Sequence, residues 1–413
     1  MIELDAARQQ LLAACPLIEP DWVDAADAAG CVLAADVTAR GDVPPFDNTG
    51  VDGYAVIAAD LRPDPARPDE RVSLQVLGTV LAGSVADAPL RPGHTWKVMT
   101  GAPLPAGADA VVMVEDSSAS RAEPLGSAGD RVELRAPAPG AGVRLAGSDI
   151  RAGELVLASG TVLRPAHLGV LASIGVGRVL VYRRLRVGVL VTGDELVTDG
   201  RPLEPGQIYE SNRAMLMSLL RRANCEPVDL GVAGDDVGRL ERRLAGAIAE
   251  CDVLITSGGV SMGDSDPVKA VLDRLGRLNA LQVAIRPAKP FAFGVLDGPT
   301  LLLGLPGNPV SSLVSFELLA RPALLHLMGH RDPVPPAVLA IADEPLTRPH
   351  GDGRTAYLRV SSEFGPDGRL HVRPVTGQDS HQLAASAGAN ALARVADGQQ
   401  VRAGDEVSVS WLS

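Results

Sequence analysis

The sequence predicts a multidomain α/β plus β protein, in which a doubly wound α/β domain is accompanied by smaller β-domains. Three observations carry that expectation. From about residue 186 to 329, short apolar runs rich in Val, Ile and Leu alternate with stretches of helical spacing. That is the pattern of strands buried in a parallel sheet between covering helices. Between residues 31 and about 150, by contrast, β runs are brief and broken by Pro and Gly. Beyond Pro335, short β runs recur between Gly-rich turns and imply a small closing β-domain. A chain of 413 residues is long enough for about two to four such domains.

Taken in order, residues 4–15 have helical spacing, with Ala7, Leu11, Leu12 and Ala14 on one side. A second short helix is expected near 21–29. Strands are expected at 71–76, 96–100, 110–114 and 131–134, each bounded by turn residues. Pro165 suits the first turn of a helix through 174, which leads into a strand near 179–182. In the α/β stretch, strands are expected at 187–191, 228–231, 252–256, 280–285, 290–294 and 301–304. Ser211 caps a helix to Arg222, Asp235 or Asp236 caps one to Glu250, and Asn308 with Pro309 opens a long helix to Leu327.

Composition excludes several functions. The net charge of −12 argues against nucleic acid or an anionic membrane as the main partner. The N-terminus lacks a basic-then-apolar signal pattern and no run is expected to reach membrane-spanning length, so a cytoplasmic protein is expected. Cys15, Cys31, Cys225 and Cys251 fit no zinc spacing and read as reduced thiols. His326 and His330 share the i, i+4 spacing of a zinc helix but lack its Glu, and read as helix-end polar groups. Lysine occurs only at 97, 269 and 289 in an otherwise arginine-based chain, which singles out Lys289.

Chemistry concentrates where strands end, since a doubly wound sheet binds its ligand at the C-terminal ends of its strands. Thr192-Gly193-Asp194-Glu195 follows the first strand. Ser257-Gly258-Gly259, then Gly263, Asp264 and Asp266, follow the third. Leu305-Pro306-Gly307-Asn308-Pro309 follows the last. Glycines let backbone N–H groups turn toward an anion, and a helix start adds its positive end. Carboxylates beside that anion suit a divalent cation. Neither a P-loop nor a Gly-x-Gly-x-x-Gly signature is present, so an NTPase or dehydrogenase is not favoured. Each turn read alone is also compatible with an ordinary strand–helix connection, and Asp235 with a simple helix cap. Outside this stretch, Phe46-Asp47-Asn48 with Asp52-Gly53-Tyr54-Ala55, and Met99-Thr100-Gly101-Ala102-Pro103-Leu104-Pro105, are dense in rigid polar turns.

Together these segments resemble the molybdopterin molybdenumtransferase family, which includes the C-terminal part of gephyrin, over nearly the whole chain. The resemblance implies an enzyme that takes adenylylated molybdopterin and molybdate, inserts molybdenum and releases AMP, with Mg²⁺ assisting. It implies an N-terminal and linker domain (1–30 and 147–180), an inserted β-domain (31–146), an α/β molybdopterin-binding domain (181–329) and a C-terminal β-barrel-like domain (330–413). Catalytic roles fall by resemblance on Asp52, Thr100, Glu195 and Asp266, with Glu195 and Asp266 as metal ligands. Substrate contacts fall on Asp149, Asp235, Ser257, Gly258, Gly259, Pro306, Gly307, Asn308 and Pro309. Molybdate falls to Arg286, Lys289, Ser311, Arg359 and Ser380, cations and hydroxyls that suit a tetrahedral dianion. At Arg286 and Ala288 the family commonly has Lys and Gly. A guanidinium keeps the charge but not the shape of an ammonium. A homodimer with sites shared between chains is implied, with a molybdopterin adenylyltransferase and molybdoenzyme acceptors as partners. The alternatives are a molybdopterin adenylyltransferase, which would leave the Asp52 region unexplained, and a scaffold, which would not need the polar turns.

Overall fold

Side chains that alternate across one central sheet organise the larger of two units. The computed structural model describes residues 1–62, 70–119, 125–234, 237–258, 271, 274, 276–296, 300–347 and 351–412. The expected sites Asp235, Gly259 and Asp266 lie outside the described residues. The larger unit comprises Met1–Ala34, Gly160–Arg164 and Arg178–Ser413, and the smaller Ala35–Ser159 and Pro165–Gly177.

In the larger unit the central sheet has six strands, numbered here in chain order. They are β1 (Arg186–Thr192), β2 (Glu226–Ala233), β3 (Val253–Ser257), β4 (Gly276–Gln282), β5 (Pro290–Leu296) and β6 (Leu301–Leu305). Their spatial order is β2-β1-β3-β6-β5-β4. The first four in that order run parallel, and β5 and β4 complete the edge antiparallel. Val187, Val189, Val253, Ile255, Leu301 and Leu303 face one core, with the helices Leu4–Ala13 and Asn212–Arg222 and the helical run from Pro309 to Leu327. Leu190, Leu254 and Leu302 face the other, against Leu240, Leu244 and Ala247 of the helix Val237–Glu250. Burial on both faces explains why these strands read as unbroken apolar runs. Each fully buried aliphatic side chain contributes about 1.5–3 kcal/mol.

Three expectations are corrected. Residues 21–29 are not a helix: Asp21–Asp24 is a strand pairing antiparallel with Arg178–Tyr182, followed by one 3₁₀ turn at Ala25–Asp27. A partner more than 150 positions away decides that conformation, and local spacing cannot report it. The long helix is interrupted by a π turn at Phe316–Ala320, between α segments Pro309–Ser315 and Arg321–Leu327. Within that turn, the Leu318 carbonyl accepts a hydrogen bond from Arg8 Nε at 2.8 Å. The same run is long and apolar enough to cross a membrane, contrary to expectation, but 83% of it is buried inside the protein. It is the core helix of the sheet.

The C-terminal strands are β7 (Val338–Ala342), β8 (Thr355–Phe364), β9 (Leu370–Pro374), β10 (Ala391–Val395) and β11 (Glu406–Trp411). They follow the order β8-β9-β7-β11-β10, and pairing of β10 with β8 closes a five-stranded barrel around Val360, Val372, Ala393 and Val409. A short strand from the α/β domain, Ile285–Arg286, pairs parallel with the start of β8.

In the smaller unit, a five-stranded sheet has the order Ala110–Met113, Gly53–Val56, His94–Val98, Val72–Val80, Arg131–Leu134. Tyr54 and Val56 enter one core and Ala55 the other. A side chain on Gly53 would place its Cβ 2.1 Å from the Val112 carbonyl oxygen, so only glycine fits there.

At the N-terminal ends of the central strands, Asp252 accepts two bonds from the Arg183 guanidinium at 2.8 and 2.7 Å and one from the Arg186 N–H at 2.8 Å. Burial pushes the Asp252 carboxyl up, but those bonds and the two positive charges outweigh it and hold it below its ordinary value. A depressed carboxylate stabilises the fold above its unfolded pKa of about 4, and that contribution is lost as pH falls through the folded value. Asp252→Asn should therefore cost about 1–2 kcal/mol at pH 7, with the difference shrinking as pH falls below about 4. Urea unfolding of both proteins across that range checks this. A difference independent of pH would remove the charge from the explanation.

Candidate active site

Two regions of the larger unit gather the polar residues expected at the site: the turns that end β1, β3 and β6, and a cleft beside the barrel. The turns are held by backbone geometry and one buried amide. Gly258 adopts φ +94°, and a Cβ there would lie 2.7 Å from Thr192 Oγ1, so β1 and β3 end in contact only because the residue is glycine. The Gly258 N–H donates to the Leu305 carbonyl at 3.1 Å. Asn212 Nδ2 donates to Ser257 Oγ at 2.9 Å and to the Gly307 carbonyl at 2.7 Å, joining the ends of β3 and β6. Ser257 Oγ donates onward to the Pro306 carbonyl at 3.3 Å.

Ser257 is 1% exposed, so its hydroxyl works inside this clamp. Asp194 and Glu195 are exposed at the end of β1, while the Glu195 carbonyl accepts from the Ile208 N–H at 2.9 Å. Asn308 precedes the helix in extended conformation with Pro309 in its first turn, as expected, but its side chain makes no capping bond. The Val310 N–H is met by the Ser380 carbonyl at 3.1 Å, which ties the helix start to the barrel loop.

That loop and the helix start border a cleft of 410 Å³. Of the five residues expected to hold molybdate, Arg286, Lys289, Ser311 and Ser380 line it together, with Pro306 and Asn308 beside them. Arg359 does not. It is 1% exposed, with Nη2 donating to the Gly377 carbonyl at 2.6 Å and Nη1 to Ser386 Oγ at 3.4 Å. Burial lowers its pKa, against the opposing charge of Asp379. Arg359 thus supports the 377–380 loop from behind, helped by Gln378, whose amide bonds the Arg359 N–H and carbonyl. Ala288, between Arg286 and Lys289, has φ +79°, a conformation costly for any residue with a Cβ.

Asp52, Thr100 and Asp149 belong to the smaller unit. Asp52 Oδ1 accepts both the N–H and the hydroxyl of Thr100, each at 2.7 Å. The N–H first, then the hydroxyl, holds the Asp52 carboxyl below the usual carboxylate range. Asp149 is exposed, and its N–H donates to the Val43 carbonyl at 3.0 Å.

Sequence reasoning missed Asn212, Arg354 and His381, the last two of which line the cleft. An Asn just inside a helix start was a usable signal for Asn212; Ser211, expected to cap that helix, precedes it but its side chain makes no capping bond. Arg354 follows a Gly-Asp-Gly turn and carries no signal of its own. Among the described residues no three His, Cys, Asp or Glu side chains converge as a metal site. Burial pushes the Cys15 and Cys225 thiols up to about 12, so they are inert core groups.

Asn212→Ala should strip partners from buried groups on two turns and lower stability by about 1–3 kcal/mol, measured by urea unfolding. A loss within experimental error would mean the turns hold without the amide.

The N-terminal part of the chain, residues 2–175, matches the model for the MoeA N-terminal region (domain I and II). Residues 188–326 match the probable molybdopterin binding domain, and 341–412 the MoeA C-terminal region (domain IV). The chain is 38% identical to the molybdopterin molybdenumtransferase of Haemophilus influenzae, over 93% of this chain and 92% of that one. It is 35% identical to molybdopterin molybdenumtransferase 1 of Mycobacterium tuberculosis, over 100% and 99%. The crystal structure of the molybdopterin biosynthesis MoeA protein of Pyrococcus horikoshii superposes with a TM-score of 0.77 at 29% identity, over 100% of both chains. With the turns and the cleft in place, this chain belongs to the molybdopterin molybdenumtransferase (MoeA) family.

Proposed function

We propose that this chain is a molybdopterin molybdenumtransferase that inserts molybdenum from molybdate into adenylylated molybdopterin and releases AMP. The observation that carries the reading is the cleft where Arg286, Lys289, Ser311 and Ser380 converge. Cations with hydroxyl donors around a small volume suit a tetrahedral dianion, because each oxygen can accept a charge-assisted or hydroxyl hydrogen bond. Gly258, Gly307 and Asn308, on turns adjoining the cleft, are the groups we assign to the pterin phosphate side, together with Asp235, Gly259, Pro306 and Pro309. Ser257 and Arg359 position these surfaces rather than touch the substrate.

Adjacent exposed carboxylates on Asp194 and Glu195 offer the hard oxygen donors that fit Mg²⁺. In this reading Glu195 holds that ion with Asp266. A bound Mg²⁺ would offset the negative charge of the phosphoanhydride. Asp52 is kept ionised by Thr100, and with Asp149 it is assigned to the same reaction. Buried, unbridged thiols support a cytoplasmic setting.

The test is incubation of the purified chain with adenylylated molybdopterin and molybdate. AMP and molybdenum-loaded cofactor should appear together, EDTA should suppress both, and Mg²⁺ should restore them. Adenylylation of unmodified molybdopterin by added ATP, with release of pyrophosphate and no molybdenum insertion, would identify an adenylyltransferase instead, and full AMP release in chelator would remove the metal from the reading.

A homodimer with shared sites is the remaining part of the proposal. Asp52→Ala and Glu195→Ala chains, each inactive, should on co-refolding recover roughly a quarter of the unaltered activity, since half the dimers are mixed and each has one intact site. Mixed dimers confirmed by mass but no more active than either variant alone would confine each site to one chain.

A further inference from the structure

Of the few lysines in this arginine-based chain, Lys97 lies in the strand His94–Val98 of the smaller unit. It stands opposite Tyr54 on one neighbouring strand and Thr79 on the other. Opposed residues share a face of the sheet, so the three side chains lie side by side. Both neighbours spend their hydroxyls on one short segment. Tyr54 donates to the Leu125 carbonyl at 2.9 Å, and Thr79 Oγ1 to the Gly126 carbonyl at 2.8 Å. Burial pushes the Tyr54 phenol up to about 12, so it remains a donor near neutral pH. Leu125 and Gly126 are thereby closed over the lysine. A Cβ on Gly126 would lie 2.8 Å from Lys97 Cδ and 2.7 Å from Thr79 Oγ1, so glycine is what admits the stem. Leu125 holds φ +36°, a conformation costly for a residue with a Cβ. A strained residue, a glycine and two hydroxyls together fix one lysine, whose flexible stem would otherwise leave its charge mobile.

The charge so fixed acts on Asp52. Asp52 precedes Tyr54 by two residues, the spacing that returns to the same face of a strand. Its Oδ1 takes both bonds from Thr100, and Oδ2 has no partner among the described residues. The Thr100 N–H and hydroxyl are the main causes of its lowered pKa. A smaller opposing effect of burial follows, and then the charge of Lys97, which acts in the same direction as Thr100. Arg144 donates to the Gly50 carbonyl, and Glu115 and Asp116 occupy the adjoining 3₁₀ turn, yet Lys97 is the charged group that acts on Asp52 among the described residues. A carboxylate approached by a phosphoanhydride takes up a proton more readily, because like charges disfavour its ionised form. A fixed ammonium opposes that and leaves Oδ2 open as an acceptor.

We propose that Lys97 is a positioning residue for the reaction: clamped beneath Leu125 and Gly126, it supplies the counter-charge that lets Asp52 act as a carboxylate beside an anionic substrate. The inference rests on the assignment of Asp52 to molybdenum insertion. It gives the Leu125–Gly126 segment a part as well, since moving that segment moves the ammonium. The sign follows from the charge. Removing Lys97 removes an influence that favours the ionised carboxyl, so activity should be lost at a higher pH on acidification.

The experiment is the pH profile of AMP release by the full chain, with adenylylated molybdopterin and molybdate, from about pH 5 to 9. In Lys97→Gln the acid limb should move to higher pH, so that activity near pH 5.5 relative to that near pH 8 falls by about threefold or more. Lys97→Arg keeps the charge and should restore the unaltered profile. Gly126→Ala leaves the lysine in place but pushes its stem aside, and should move the limb in the same direction as Lys97→Gln. Asp52→Asn serves as the reference for the reaction itself. If Asp52→Asn abolishes AMP release while Lys97→Gln keeps the unaltered profile, the inference fails and the assignment of Asp52 stands. If Asp52→Asn releases AMP at the unaltered rate, the assignment of Asp52 fails and the inference with it. A Lys97→Gln chain that loses activity equally at every pH, with a lowered thermal midpoint, would make Lys97 structural and overturn the inference. Should Lys97→Gln not fold, Gly126→Ala decides, and an unmoved acid limb there overturns the inference.

Discussion

The cleft at the candidate site depends on two residues leaving the α/β domain to pair with the barrel. Ile285–Arg286 lies between β4 and β5, yet it pairs with Thr355 and Ala356, the first two residues of β8. That pairing satisfies backbone groups that would otherwise sit unpaired between domains. It also sets Arg286, Ala288 and Lys289 opposite the 377–380 loop. Ala288 holds a left-handed conformation in the bend that follows, where a residue with a Cβ is strained by roughly 1 kcal/mol or more. The cleft is a consequence of this crossing: its walls come from the helix start at Pro309, the crossing strand and the barrel loop.

The polar groups around that crossing divide into those that face the cleft and those that hold its walls. Arg359 is the largest of the holding groups. A buried guanidinium is costly unless its donors are met, and the Gly377 and Asp379 carbonyls and Ser386 meet them in part. The loop is thereby fixed at several points, and the Ser380 carbonyl closes the circuit by accepting the Val310 N–H. Asn212 does the corresponding work for the strand-end turns. In both places one side chain with several donors replaces a run of regular secondary structure.

Much of the fold was legible because it rests on local periodicity. The alternation of apolar runs and helical spacing over residues 186–329 follows directly from strands buried on both faces. Pro309 in the first helical turn was readable from its fixed φ. What was not legible depends on distant partners. Asp21–Asp24 has too little β character to declare itself, and becomes a strand only against Arg178–Tyr182. Leu318 gives no sign in sequence that its carbonyl will be taken by Arg8. At the site, Arg286, Lys289, Ser311 and Ser380 could be grouped only through the family resemblance, since over ninety positions separate the first from the last. Residue type suited Arg359 to an anion, but type does not encode burial. Arg354 could not be found at all without the register that sets it beside Arg286.

The account stands or falls on the occupant of the cleft. Anomalous scattering at the molybdenum edge, from crystals of the full chain soaked in molybdate, locates that ion without reference to turnover. The account predicts a peak within hydrogen-bonding distance of Lys289 and of the Ser311 and Ser380 hydroxyls, on the side of Arg286. A peak elsewhere on the chain, with this cleft empty, would contradict it.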